Sequence, residues 1–288
     1  MPLLLSPGQG AQQPGMLAGW LDVPGAAASL GRWSDLIGLD LVHLGTGADA
    51  DEIRRTEVAQ PLLTAAALLS GRALLSGATP DAVCGHSVGE LSALALADVL
   101  SDDEAVLLAA GRGRLMAEAA ALRPTGMAAV LGGDVDESSL QAAGLELATV
   151  NVPGQVVVGG PIEALDAWAP PSRARVRRLQ VAGAFHTSAM QPAVEGFRAL
   201  VEDLSPRDAG CDVIANADGA ILRDGQQLLA RLVDQLVRPV RFDLCLAALS
   251  GPAVELAPAG VLTAMVTRAR PDLQVRALRT PDDLLVPA

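Results

Sequence analysis

The 288 residues contain no tyrosine and no lysine, so all 21 basic residues are arginine. That excludes a P-loop lysine, a Schiff-base lysine and any acid–base mechanism built on lysine or tyrosine. Histidine is scarce, with only His43, His86 and His186. The three cysteines, Cys84, Cys211 and Cys245, lie far apart without a CxxC pair, so neither a metal cluster nor a disulfide framework is expected. No metal and no cofactor is predicted. Basic charge is also in deficit, 21 against 33 acidic residues for a net charge of -12, which argues against a nucleic-acid partner. The apolar run Leu3 to Leu5 is too short for a secretory signal, and no uninterrupted apolar stretch approaches the roughly 18 residues of a membrane span. These absences predict a soluble cytoplasmic protein with no membrane partner.

Half of the residues are hydrophobic, an ordinary globular composition, and the length suits one large domain or a large and a small one. Short apolar strands alternate with helical stretches, which predicts an α/β fold. A buried strand at Leu3 to Leu5 runs into the turn Pro7-Gly8-Gln9-Gly10. A helical stretch, Thr56 to Ser76, precedes a second buried strand at Ala82 to Cys84. Ser101 to Ala121 is the clearest helix, because Ser101 and Glu104 have capping-box spacing. Beyond Pro124 the order is strand 127–131, helix 134–143, strand 146–150, strand 155–158, helix 162–168 and strand 175–181. That βαββαβ order is the split-βαβ, or ferredoxin-like, unit and predicts a small subdomain inserted between two α/β stretches. Helices near 189–204, 226–237 and 262–268 then alternate with strands near Val213, Val254 and Val275.

Gly85-His86-Ser87-Val88-Gly89 is a GxSxG sequence directly after a predicted strand and directly before a helix. This is the context of a nucleophile elbow, in which small flanking residues let the chain turn sharply and lift the serine hydroxyl out of the sheet. The plainer reading is a glycine-rich turn with Ser87 as a helix N-cap. An activated serine needs a base, and without lysine the candidates are histidines. His86 is adjacent to Ser87, where neighbouring side chains diverge, and His43 sits in a polar, glycine-rich stretch that reads as surface. Elimination leaves His186, where the chain leaves the inserted subdomain. The oxyanion of acyl transfer needs backbone donors. Val88 N–H supplies one by the logic of the elbow, and the Gly8-Gln9-Gly10 turn is a candidate for the second. Arg112 shares an apolar helix stripe with Leu108, Leu115 and Ala119, so it needs an anionic partner, either a structural Asp or Glu or a substrate carboxylate. Gly111 and Gly113 flank it at a helix-propensity cost of about 1 kcal/mol each, which makes sense where something approaches closely. Arg114, by contrast, has Glu118 at i+4 and reads as a solvated pair.

Pro7-Gly8-Gln9-Gly10-Ala11-Gln12, Gly85-His86-Ser87-Val88-Gly89-Glu90, Arg112-Gly113 with Met116, Asn151-Val152-Pro153-Gly154-Gln155, Ala184-Phe185-His186 and Gln235 with Pro239-Val240-Arg241 occur in that order. As a set they resemble the malonyl-CoA:acyl carrier protein transacylases, and Thr280-Pro281-Asp282-Asp283-Leu284 is similar to the actinobacterial form. The resemblance implies a hydrolase-like large domain with a mostly parallel sheet, residues 1–123 and 186–288, carrying a ferredoxin-like subdomain at 124–185. It implies Ser87 as nucleophile, His186 as base oriented by the main-chain carbonyl of Gln235, Gln9 and Val88 as oxyanion donors, and Arg112 as clamp on the malonyl carboxylate. Met116 and Asn151 would line the acyl pocket. Malonyl-CoA and acyl carrier protein are the implied partners and fatty acid synthesis the implied process. Ala259 stands where the family more often has glycine. A serine hydrolase or esterase would share the elbow, and the transacylase subunit of a malonate decarboxylase would share the chemistry. Because both chain and carrier are acidic, docking needs a local basic patch. Arg173, Arg175, Arg177 and Arg178, or Arg268 and Arg270, are the candidates, against the alternative of a merely solvated strand edge.

Overall fold

A computed structural model describes residues 1–285. Strand β1 (Leu3–Ser6) is followed by α1 (Ala26–Ile37), α2 (Leu41–Thr46) and α3 (Thr56–Leu75), then by β2 (Ala82–Gly85), α4 (Gly89–Leu96) and α5 (Asp102–Ala121). Next come β3 (Thr125–Leu131), α6 (Glu137–Ala142), β4 (Glu146–Val152), β5 (Gln155–Pro161), α7 (Ile162–Ala167) and β6 (Arg175–Arg178). The remainder is α8 (Gln191–Glu202), β7 (Asp212–Ile214), β8 (Ile221–Leu222), α9 (Gly225–Asp234), β9 (Val240–Arg241), α10 (Phe242–Ala248), β10 (Ala253–Glu255), α11 (Val261–Ala269) and β11 (Val275–Ala277). This is a mixed α/β fold with two sheets.

The larger sheet has the order β11-β10-β1-β2-β7-β8 and is parallel except for β8. Its central strands are buried on both faces, which is why they read as continuous apolar runs rather than alternating ones. Helix α3 is apolar and long enough to cross a membrane, yet 83% of its apolar window is buried inside the protein, so it is a core helix. It packs on α5, whose N-terminus carries the expected capping box: Glu104 N–H donates to Ser101 Oγ, and Ser101 N–H donates to the Glu104 carboxylate. Such a cap contributes about 1 kcal/mol. The glycines beside Arg112 accommodate neighbouring helices. A Cβ on Gly113 would lie 2.8 Å from the Thr56 carbonyl oxygen of α3, and one on Gly111 would lie 2.4 Å from Leu200 of α8.

The smaller sheet has the order β6-β3-β5-β4-β9. Strands β3 to β6 pair antiparallel in the βαββαβ arrangement, while β9 comes from outside this segment and pairs parallel to β4. The sheet is therefore completed by a strand that carried too little pattern, two residues, to be read from sequence. Strand β6 ends at Arg178, short of the predicted Val181. Leu179 N–H still donates to the Met127 carbonyl at 3.0 Å, after which the chain leaves the edge. Helices α1, α2 and α10 were not anticipated.

What positions the site is the register between β1 and β2. Ser6 lies opposite Gly85, so the turn after each strand emerges beside the other at the carboxyl end of the sheet, where open α/β sheets bind ligands. The two turns are about eighty residues apart in the chain; the His86 N–H donating to the Ser6 carbonyl at 3.0 Å ties them together.

Candidate active site

Between β2 and α4 the chain reverses within three residues. A Cβ on Gly85 would sit 2.2 Å from the Glu90 nitrogen, and one on Gly89 2.2 Å from the Ser6 oxygen, so only glycine fits at either end. Ser87, at the apex, is held at φ 54°, a left-handed conformation that costs a non-glycine residue on the order of 1 kcal/mol. Its own N–H donates to Asn216 Oδ1 at 2.8 Å. Among the described residues, the N–H groups of Gln9 and Val88 make no backbone hydrogen bond, and Gln9 and Ser87 line one pocket.

His186 also has a positive φ, 61°. Its Nδ1 lies 2.7 Å from the Gln235 carbonyl oxygen and its Nε2 2.7 Å from Ser87 Oγ. A carbonyl only accepts, so Nδ1 carries the proton and Nε2 offers its lone pair to the serine hydroxyl. Burial, then the positive charge of Arg112, lowers the His186 pKa from 6.5 to about 3. The imidazole is neutral at physiological pH, the state a general base requires.

Arg112 is fully buried. Its partners are two neutral amides. Nη1 donates to Gln60 Oε1 and Nη2 to Gln235 Oε1, both at 2.8 Å, and Nε has no partner among the described residues. No Asp or Glu forms an ion pair with it among the described residues. Burial lowers its pKa to about 10, which still leaves it charged at neutral pH.

Gln235 is the hub, because its carbonyl holds His186 while its side-chain oxygen holds Arg112. The Gln235 amide nitrogen donates to Glu90 Oε2 at 2.6 Å and Asn216 Oδ1 at 3.2 Å.

The pocket, of about 170 Å³, is lined by Gln60 and Met116 and by Leu179, Val181 and Phe185 from the end of the βαββαβ segment. Val261, Leu262 and Met265 of α11 also line it. Asn151 lines it too, with its Oδ1 2.9 Å from His86 Nε2. His86 packs edge-on against Phe242 and His43 is exposed, so neither approaches Ser87 as His186 does. Among the described residues no cluster of three His, Cys, Asp or Glu is placed to hold a metal.

Thus Ser87, His186 and Gln235 converge directly, and Arg112 joins them through Gln235; Gln9, Met116 and Asn151 line the same pocket. Sequence reasoning missed Gln60, Asn216 and the role of Glu90. The available signal was polarity at buried positions: Gln60 lies within an apolar helix, and Asn216 follows a strand at the carboxyl edge of the sheet.

The acyl transferase domain family matches residues 4–279. The chain belongs to that family. This acyltransferase is 46% identical over 297 residues to the malonyl CoA-acyl carrier protein transacylase of Mycobacterium tuberculosis, covering 99% of this chain and 98% of the relative. It is 31% identical to the transacylase of the same description from Bacillus subtilis, covering 97% and 94%. Among solved structures, the acyltransferase superposes on the MCAT crystal structure from Mycobacterium tuberculosis with a TM-score of 0.93 at 45% identity, over 98% of each chain. It superposes on a malonyl-transacylase in complex with a type II PKS acyl-carrier protein with a TM-score of 0.89 at 30% identity, covering 98% and 97%.

Proposed function

We propose that this acyltransferase moves a malonyl group from CoA to the phosphopantetheine thiol of an acyl carrier protein, in fatty acid synthesis, through a malonyl ester on Ser87. The observation that carries the reading is a charged guanidinium, fully buried and, among the described residues, held by neutral amides, in one hydrogen-bonded network with the Ser87–His186 pair. A buried charge paired with neutral groups is costly. It favours a carboxylate that arrives with the substrate, because charge-assisted bonds are roughly twice as strong as neutral ones.

In the first step His186 Nε2 takes the Ser87 proton as Oγ attacks the thioester carbonyl, and the N–H groups of Gln9 and Val88 receive the oxyanion. The tetrahedral intermediate collapses, the C–S bond breaks, and the imidazolium returns its proton to the CoA thiolate. In the second step the carrier thiol gives its proton to His186 and attacks the ester; the C–O bond to Ser87 breaks, and the imidazolium returns the proton to Ser87 Oγ. In place of its bonds to the Gln60 and Gln235 amides, Arg112 donates to the free malonyl carboxylate, while Met116 and Asn151 line the acyl site.

With this reading goes the finer architecture: a hydrolase-like large domain, residues 1–123 and 186–288, and a ferredoxin-like subdomain, residues 124–185, in a cytoplasmic protein. The βαββαβ pairing order supports the subdomain. The shared elbow keeps a serine esterase as the rival, and Arg112 disfavours it. The test is intact-protein mass spectrometry after mixing with malonyl-CoA. A mass gain of one malonyl group, absent in Ser87→Ala, is expected; rapid hydrolysis of malonyl-CoA without transfer to a carrier would favour the esterase.

A further inference from the structure

The amide of Gln235 has two orientations of nearly the same shape, and only one places an acceptor against Arg112. Flipped, it would set Nε2 against the Nη2 donor, two donors facing each other. The groups on its far side decide. Gln235 Nε2 donates to Glu90 Oε2 at 2.6 Å and to Asn216 Oδ1 at 3.2 Å. Asn216 is itself locked: Oδ1 accepts from Ser87 N–H at 2.8 Å, and Nδ2 donates to the Gly85 carbonyl at 2.6 Å. The remaining Glu90 oxygen, Oε1, accepts from Asn216 N–H at 2.8 Å. Both Glu90 oxygens thus face donors, a demand that no amide side chain meets.

Glu90 also stands one amide away from Arg112 rather than on it. A carboxylate touching the guanidinium would compete with a substrate carboxylate. Placed behind Gln235, the Glu90 carboxyl, whose pKa burial raises to about 7 against the lowering pull of the Asn216 N–H and Arg112, offsets the buried positive charge when ionised and leaves the Arg112 donors on neutral partners that can be exchanged. We infer that Glu90 is a positioning residue for dicarboxylate selectivity, acting through Gln235 to present Arg112 to the substrate carboxylate. The inference rests on the malonyl reading above.

The test compares native enzyme with Glu90→Gln, whose amide nitrogen cannot accept from its donor neighbour. Steady-state kinetics use malonyl-CoA and acetyl-CoA, and a fluorophosphonate probe reports on Ser87 without needing Arg112. The malonyl-CoA KM is expected to rise at least about tenfold with kcat within about threefold, the pattern of lost substrate binding rather than lost chemistry. The malonyl-to-acetyl preference falls in parallel, and probe labelling slows by no more than about threefold. Glu90→Asp, which keeps an acceptor-only carboxylate, recovers part of the preference and carries the test if the glutamine variant does not fold. Gln235→Met, which removes the acceptor for Arg112, lowers the malonyl-to-acetyl preference.

An unchanged preference, or an equal fall in kcat and probe labelling, would overturn the inference. Native enzyme that gains no malonyl group refutes the functional reading instead.

Discussion

Arg112→Ala separates recognition of the substrate from the chemistry performed on it. The native guanidinium has Nη1 and Nη2 on neutral amides, and a malonyl carboxylate would convert them into charge-assisted bonds. Hydrogen bonds to charged groups contribute about 1.5–3 kcal/mol each, so losing two costs about 3–6 kcal/mol in the transition state for malonyl transfer. That is a fall of roughly a hundred- to ten-thousand-fold in kcat/KM for malonyl-CoA. A neutral acetyl group never made those bonds, so its rate does not share the loss, and the preference collapses by a similar factor. The truncation also leaves Gln60 Oε1 and Gln235 Oε1 without their donor, at about 1–3 kcal/mol each in stability, so the assay belongs well below the variant's melting temperature. Quenched-flow mixing with malonyl-CoA or acetyl-CoA, read by intact mass, gives both acylation rates. A malonyl-to-acetyl ratio within about threefold of native would refute the clamp, whatever happened to the absolute rates.

His186 should make stability pH-dependent. A pKa lowered from 6.5 to about 3 in the folded state means the unfolded chain binds the extra proton, so the contribution is complete above 6.5 and is lost as pH falls toward 3. The stability advantage of native protein over His186→Phe should shrink by about 2 kcal/mol between pH 7 and pH 5 in urea titrations, and a constant difference would contradict the assignment. Glu255 is fully buried and accepts from the N–H groups of Gly260, Leu262 and Thr263, anchoring the start of α11. Glu255→Ala should lose about 3–5 kcal/mol in calorimetry and raise the KM for malonyl-CoA, because α11 lines the pocket; an undisturbed melting temperature would disprove the anchoring role. Of the two basic runs, Arg270 is bound to Asp272 and Arg178 to Asp166, whereas Arg173, Arg175 and Arg177 are exposed with no carboxylate partner among the described residues. Arg175→Glu with Arg177→Glu should slow transfer to acyl carrier protein while leaving malonylation of Ser87 by malonyl-CoA intact, and equal transfer rates would remove this edge as the docking surface.

Local signals in the sequence determined the glycine-flanked turn at Ser87, the capping box of α5 and the βαββαβ order. Each depends on residues within a few positions of one another, where turn sterics and helix periodicity act. The partners of those residues were decided by the tertiary structure. Arg112 meets Gln60 and Gln235 across 52 and 123 positions, and Glu90 meets Gln235 across 145. Contacts at such separation depend on how α3, α5 and the segment after α9 pack around the larger sheet. Even a buried arginine could say only that it needed a partner. That the partners are neutral amides, with the balancing carboxylate one residue further back, follows from the packing, because hydrogen-bond direction is set in space and not along the chain.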